Sequence, residues 1–194
     1  TETKLGHVKA KTKADGTLIL PINILNDNNV YNAILTTMDI TKILEISSSY
    51  GGNIWAIAVD DNYVYVGGDT TRTVKKLNKS NLSQVATSAN YGGTIRAIAV
   101  DDSYVYVGGD TTRTVKKLNK SDLSQVAESA SYGGDIRAIA VDDSYVYVGG
   151  GTTQTVRKLN KSNLSQVAES ASYGGDIQAI AVDDNYVYVG GVTT

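Results

Sequence analysis

A β-propeller of four-stranded blades is the fold this sequence predicts, and three observations carry the prediction. A unit of 41 residues recurs, with Tyr50-Gly51-Gly52 returning at Tyr91, Tyr132 and Tyr173. The composition is that of strands and turns: 13 Tyr, 19 Gly, one Pro, no Phe, and many Val, Ile and Thr. Within each unit four strand-like pieces grow more polar from first to last, as in a blade whose inner strand is crowded and outer strand solvated. Copies 50–90 and 91–131 differ at six positions, and copies 91–131 and 132–172 at five. Such near-identity points to recent duplication, or design, of one structural unit.

The pieces follow in order. "NIWAIAV" (53–59) is small, apolar and β-branched, as an inner strand covered on both faces should be. Asp60-Asp61-Asn62 makes a turn, and "YVYVGG" (63–68) is a second strand ending in a glycine pair read as a strand-end bend. "TVKKLN" (73–78) is the third strand, with Val74 and Leu77 facing in and the lysines facing water. "KSNL" turns into "SQVATSA" (83–89), a polar edge strand. No stretch shows sustained helical periodicity. An open β-solenoid is the other architecture with such a period, but hairpin turns and the polarity gradient favour a radial sheet.

The fourth copy begins at Tyr173 and supplies only two inner strands. Residues 32–49 resemble the second half of a repeat, Leu35 matching Val74, Met38 matching Leu77 and Leu44 matching Val85. This organisation predicts an N-terminal arm or fibre-linking segment over 1–31 and a propeller over 32–194. Its blades are 53–90, 94–131, 135–172, and a composite of 176–194 plus 32–49. Joining strands from both ends in one blade removes the exposed sheet edges of an open fan. A four-bladed ring closed within one chain is the favoured count. Closure between two chains into an eight-bladed ring is the alternative.

"DDSYVYVGGDTTRTVKKLNKSDLSQVAESA" resembles blades of the bacterial YVTN/WD40-like propellers, in which a turn, a "YVYV" strand and a "TV…L" strand follow in that order. The resemblance covers 50–194 and implies the fold, not a function, since propellers host lectins, enzymes and scaffolds alike. The Gly-His and Trp-Asp signatures of eukaryotic WD40 repeats are missing. In the arm, "TETKLGHVKAKTKADGTLILPI" resembles phage tail-fibre segments that link shaft to head, although "KAKTK" departs from the longer apolar strand expected there. That resemblance implies a virion or extracellular location and a fibre, trimeric, tipped by the propeller. A solvated arm packed on the ring is the other reading.

Several chemistries are excluded or disfavoured. A formal charge of −2 provides no global field for nucleic acid or anionic lipid. With no cysteine and a single histidine, His7, neither a thiol nucleophile nor a multi-histidine metal site is available. No apolar run is long enough to insert in a membrane as a helix. The repeated pairs Asp60-Asp61, Asp101-Asp102, Asp142-Asp143 and Asp183-Asp184 read as hairpin turns rather than calcium loops. Identical copies also argue against catalysis, which needs different residues in different roles. No cofactor or metal is expected, and the chain is read as a non-enzyme.

Apart from mild changes in turns of the opposite face, Asn or Ser at position 62 and Asn or Asp at 81, the informative positions are those at which the copies disagree in charge and shape. They are Asn53, Thr94, Asp135 and Asp176; Trp55, Arg96, Arg137 and Gln178; Asp69, Asp110, Gly151 and Val192; and Arg72, Arg113 and Gln154. All lie at connections that emerge on one face of a propeller. That face is predicted to bind a ligand through Trp55, Arg96, Arg137, Gln178, Asn53, Asp135, Asp176, Asp69, Asp110, Arg72 and Arg113. Directional hydrogen bonds from Arg and Asp and a stacking plane from Trp55, with Tyr50, Tyr91, Tyr132 and Tyr173 nearby, suit a carbohydrate. The expected function is receptor or host-surface carbohydrate recognition at the tip of a phage-type fibre. A repeat scaffold without a ligand is the alternative, and a polysaccharide-processing enzyme ranks third. Drift at permissive surface sites is the bland explanation of the same pattern.

Overall fold

The computed structural model describes residues 11–12, 18–19 and 49–193, all in strands, turns and loops. The chain divides into two compact units, residues 1–40 and 41–194. In the first, β1 (Lys11–Thr12) and β2 (Leu18–Ile19) pair antiparallel, Lys11 opposite Ile19 and Thr12 opposite Leu18.

The second unit is a row of antiparallel blades. Blade 1 is β3 (Ile54–Val59), β4 (Tyr63–Gly68), β5 (Lys75–Asn78) and β6 (Gln84–Thr87). Blade 2 is β7 (Ile95–Val100), β8 (Tyr104–Gly109), β9 (Lys116–Asn119) and β10 (Gln125–Glu128). Blade 3 is β11 (Ile136–Val141), β12 (Tyr145–Gly150), β13 (Arg157–Asn160) and β14 (Gln166–Glu169). Blade 4 has the pair β15 (Gly175–Val182) and β16 (Val187–Thr193). The all-β architecture of repeated four-stranded antiparallel blades is therefore as the sequence predicts. The outer strands assigned to 32–49 fall, but for Ser49, outside the described residues.

Most of the core lies between blades, with a smaller cluster of Tyr50, Val66 and Leu77 at blade 1. Ala56, Tyr65 and Val74 of blade 1 meet Ile95, Val105, Val107, Leu118 and Leu123 of blade 2. The next joint repeats this, with Ala97, Tyr106 and Val115 against Ile136, Val146, Val148, Leu159 and Leu164. Ala138, Tyr147 and Val156 then receive Ile177 of blade 4. Each fully buried aliphatic side chain contributes roughly 1.5–3 kcal/mol, so one blade cannot be stable without its neighbour.

Two sequence expectations are corrected here. The glycine pairs are not bends: they lie inside the second strands, where the chain is packed too closely for a side chain. A Cβ on Gly68 would stand 1.8 Å from the Asn53 carbonyl oxygen, and one on Gly67 would stand 2.7 Å from Cγ2 of Ile95 in the next blade. The lysines of "TVKKLN" do not all face water either. Lys76 and Lys117 are buried between blades. The Lys76 ammonium lies 3.9 Å from the centroid of the Tyr63 ring and donates to the Lys120 carbonyl of blade 2 at 2.8 Å. Lys117 does the same over Tyr104 and onto the Lys161 carbonyl of blade 3. Sheet alternation explains the burial, since Val74 and Lys76 share one face of the strand, and that face meets the next blade.

The aspartate turns are turns, as expected, and also inter-blade joints. Asp60 accepts from the backbone N–H groups of Asn62 (2.8 Å) and Tyr63 (2.7 Å) and from the Tyr65 hydroxyl (3.0 Å). Lys120 of blade 2 adds an ion pair at 2.8 Å, and Lys161 pairs with Asp101 in the same way at 2.9 Å.

Candidate functional site

The diversified positions of the first strands occupy β-bulges. Pairing slips between Ile54 and Ala56, Ile95 and Ala97, Ile136 and Ala138, and Ile177 and Ala179. The extra residue in each case is Trp55, Arg96, Arg137 or Gln178. A bulge releases that residue from the alternation of the strand and re-aims its side chain. The apolar positions on either side therefore keep their packing while the bulge residue varies.

The connections after the second strands are bent against the preferences of their residues. Thr70, Thr111 and Thr152 have φ of 60°, 65° and 71°, and Arg72, Arg113 and Gln154 have φ of 54°, 56° and 57°. A β-branched residue in this region is held there by its surroundings at a cost of about 1–3 kcal/mol. The Arg72, Arg113 and Gln154 carbonyls accept from the backbone N–H of Tyr91, Tyr132 and Tyr173 at 2.7 Å each, which fixes the bend to the start of the next blade. Nothing in the residue types signals this strain, and a sequence reading passes over it.

On this scaffold most of the predicted residues fall into three groups of polar contacts, each stepping from one blade to the next. In blade 1, Asp69 accepts from the Asn53 backbone N–H (2.8 Å), the Asn53 amide (2.9 Å) and the Trp55 indole N–H (3.2 Å). Those bonds, the Asn53 side chain first and the indole next, hold the Asp69 carboxyl down at about 2. The Arg96 guanidinium of blade 2 lies 5.7 Å from the Trp55 ring centroid and donates Nε and Nη2 to Asp110 at 3.3 and 3.2 Å. Burial pushes the Asp110 carboxyl up, but the Thr94 N–H, the Thr111 hydroxyl and Arg96 outweigh it and hold it low.

Arg113 then crosses to Asp135 of blade 3 at 3.8 Å. Arg137 crosses to Asp176 of blade 4, passing over Gly151. At that place blades 1 and 2 carry Asp69 and Asp110, so loss of the carboxylate in blade 3 redirects the arginine to the next blade. Arg72 and Gln178 are exposed and enter none of these contacts. The tyrosines expected nearby are packing residues: Tyr50, Tyr91 and Tyr132 are buried, and their hydroxyls donate to the Thr73, Thr114 and Thr155 carbonyls.

Four carboxylates (Asp69, Asp110, Asp135, Asp176) stand against four guanidiniums (Arg72, Arg96, Arg113, Arg137), so the face is charge-balanced. Trp55 is 56 % exposed and offers a flat apolar surface beside them. Among the described residues no group of three or more His, Cys, Asp or Glu gathers to hold a metal. No helix among them is long and apolar enough to cross a membrane.

The largest depression, about 1040 Å³, lies on the opposite face between blades 2 and 3. Asp101, Asp142, Lys117 and Lys161 line it, and the bonds described above already engage the lysines and Asp101. Its residues change little from blade to blade, Ser103 and Ser144 standing where blades 1 and 4 have Asn62 and Asn185. That depression belongs to the joint between blades, and the diversified face is the better candidate for recognition.

No known family and no curated protein matches the chain in sequence. Solved structures match its fold. The computationally designed Ika4 protein superposes with a TM-score of 0.68 at 18% identity, covering 75% of this chain and 89% of that one. The computationally designed Ika8 protein gives 0.64 at 19% identity, covering 72% of this chain and 43% of its own. The WD40 repeats of RRP9 give 0.63 at 10% identity, covering 69% and 43%. The chain thus spans less than half the length of the latter two. These similarities show the fold, a repeat β-propeller, and none bears on the tail-fibre resemblance of the N-terminal segment.

Proposed function

We propose that this propeller is a non-catalytic binding module whose diversified face recognises a neutral, polyhydroxylated ligand, a carbohydrate of a cell surface. One observation carries the reading: blades that are otherwise near-copies differ in charge and shape at bulge and connector residues of one face, and most of those residues make polar contacts that step from blade to blade beside an exposed indole. Balanced charge selects against strongly ionic ligands, because an anion meets four carboxylates and a cation four guanidiniums. Sugar hydroxyls both donate and accept, so they complement alternating Arg and Asp, and a sugar ring stacks on Trp55. The N-terminal resemblance extends the proposal to receptor recognition at the tip of a phage-type fibre. The non-catalytic reading rests on the repetition itself, which supplies the same groups four times rather than distinct acid, base and nucleophile.

A glycan array tests this. The chain should bind a restricted set of glycans, and a Trp55→Ala, Arg96→Ala, Arg137→Ala variant with an unchanged circular dichroism spectrum should lose at least about 10-fold in affinity, roughly 1.4 kcal/mol. Equal binding by the variant, or none by the parent chain, contradicts the reading and leaves a scaffold.

A further inference from the structure

The three joints between consecutive blades share one isoleucine-on-glycine contact, and the first two add an ion pair. Ile95, Ile136 and Ile177 are fully buried, and each presses Cγ2 onto a glycine of the blade before it. A Cβ on Gly67, Gly108 or Gly149 would stand 2.7, 2.5 or 2.7 Å from that methyl. Beneath this knob and socket, Lys120 pairs with Asp60 and Lys161 with Asp101 across the joint.

The two ends of the row carry the counterparts of the two halves of this joint, although Tyr50, Val66 and Leu77 of the blade 1 half are already covered. Ile54, the counterpart of Ile95, is 45 % exposed, with Ile57 and Val59 exposed beside it. Gly190, the counterpart of Gly67, has nothing among the described residues within 4 Å of the place its Cβ would take. Tyr188 is 54 % exposed, whereas its counterparts Tyr65 and Tyr106 are completely covered. Lys79 donates to the Asp60 carbonyl at 3.0 Å, as Lys120 and Lys161 do to the Asp101 and Asp142 carbonyls, but it has no carboxylate partner among the described residues. Asp183 bonds its own turn and the Tyr188 hydroxyl and has no lysine among them. β15 packs on β11 and β12, β16 packs on β15, and neither touches β3 or β4.

We propose that these end faces join two copies of this chain head to tail, Ile54 of one copy seated on Gly190 of the other and Lys79 paired with Asp183. Both faces belong to one copy without meeting in it. Each matches in residue type and register a surface that the joints already bury, so the complement of either end is the other end of an identical chain. Two copies related by a two-fold axis make both contacts at once and leave no end face exposed. The inference is independent of the ligand reading, since the end faces and the diversified face share no residue.

The chain has no cysteine, so a disulfide trap is unambiguous. At the internal joints a Cβ on the glycine would lie 3.1–3.2 Å from the isoleucine Cβ. A shift of a few tenths of an ångström reaches the roughly 3.5–4.5 Å that a disulfide spans. An Ile54→Cys chain mixed with a Gly190→Cys chain and oxidised should give a covalent dimer. Light scattering of the unmodified chain at tens of micromolar should give twice the mass of one chain. A Gly149→Cys, Ile177→Cys chain, closing its bond internally, controls for reactivity and folding. No cross-link in the mixture while the control closes would overturn the proposal. So would a monomeric mass, or an Ile54→Cys, Gly190→Cys double variant that closes within one chain.

Discussion

Replacing Ile136 by Ala should lower the free energy of unfolding by about 2–5 kcal/mol, whereas the same change at Ile54 should lower it by less than about 1 kcal/mol in dilute solution. The two residues occupy equivalent places in near-identical repeats, so local sequence cannot account for a difference. What differs is the neighbour. Ile136 is fully covered and closes on Gly108, and its truncation leaves a hole in a joint that Val146, Val148 and Leu159 cannot refill without moving. Ile54 has no such neighbour among the described residues. Urea unfolding at sub-micromolar concentration measures both. Equal losses would show that the core is not distributed between blades as described.

Acid should unfold the protein between about pH 4 and pH 2. Burial opposes ionisation of Asp60, but the hydrogen bonds from Lys120, the Asn62 and Tyr63 N–H groups and the Tyr65 hydroxyl outweigh it. They hold the carboxyl at about 2, below its ordinary 3.8. Asp101 and Asp142 are also held below the ordinary range, burial again being outweighed, by Lys161 and the turn N–H groups at Asp101 and by the Tyr147 hydroxyl and the turn N–H groups at Asp142. A carboxylate whose pKa is depressed by folding contributes its full stabilisation above its unfolded value, and this is lost as pH falls through the folded value. The loss at Asp60 should be on the order of 1–2 kcal/mol after allowance for solvent screening, with Asp101 and Asp142 adding to it in the same direction. A urea midpoint that falls steeply below pH 4 and is level between pH 5 and 7 is the expected result. A midpoint unchanged down to pH 2 would remove these turns from the account of stability.

Much of this architecture could be read from the sequence because the repeat displays its own alignment. The period located every blade, and composition separated inner from outer strands. Lys76 and Lys117 were misread because a hydrophobicity pattern treats lysine as a surface residue. Strict alternation from Val74 would have placed Lys76 on a packed face, with an aromatic ring and a carbonyl to hold its ammonium. The glycine pairs were misread because a bend and a close approach both need glycine, and only the neighbouring blade distinguishes them.

The candidate face was legible in outline, since variation among near-identical copies selected Trp55, Arg96 and Arg137 without any structure. The cross-blade pairs Arg113–Asp135 and Arg137–Asp176 were not. They join residues of different repeats, and spacing within one repeat carries no trace of them.

Trp55 is the only tryptophan and is exposed on the proposed recognition face, so its emission reports on that face alone. Titrating the chain with a glycan selected on the array should shift and saturate Trp55 fluorescence, with the same dissociation constant as calorimetry of the same pair. Calorimetric binding that leaves the emission unchanged would place the ligand elsewhere and contradict the assignment of this face.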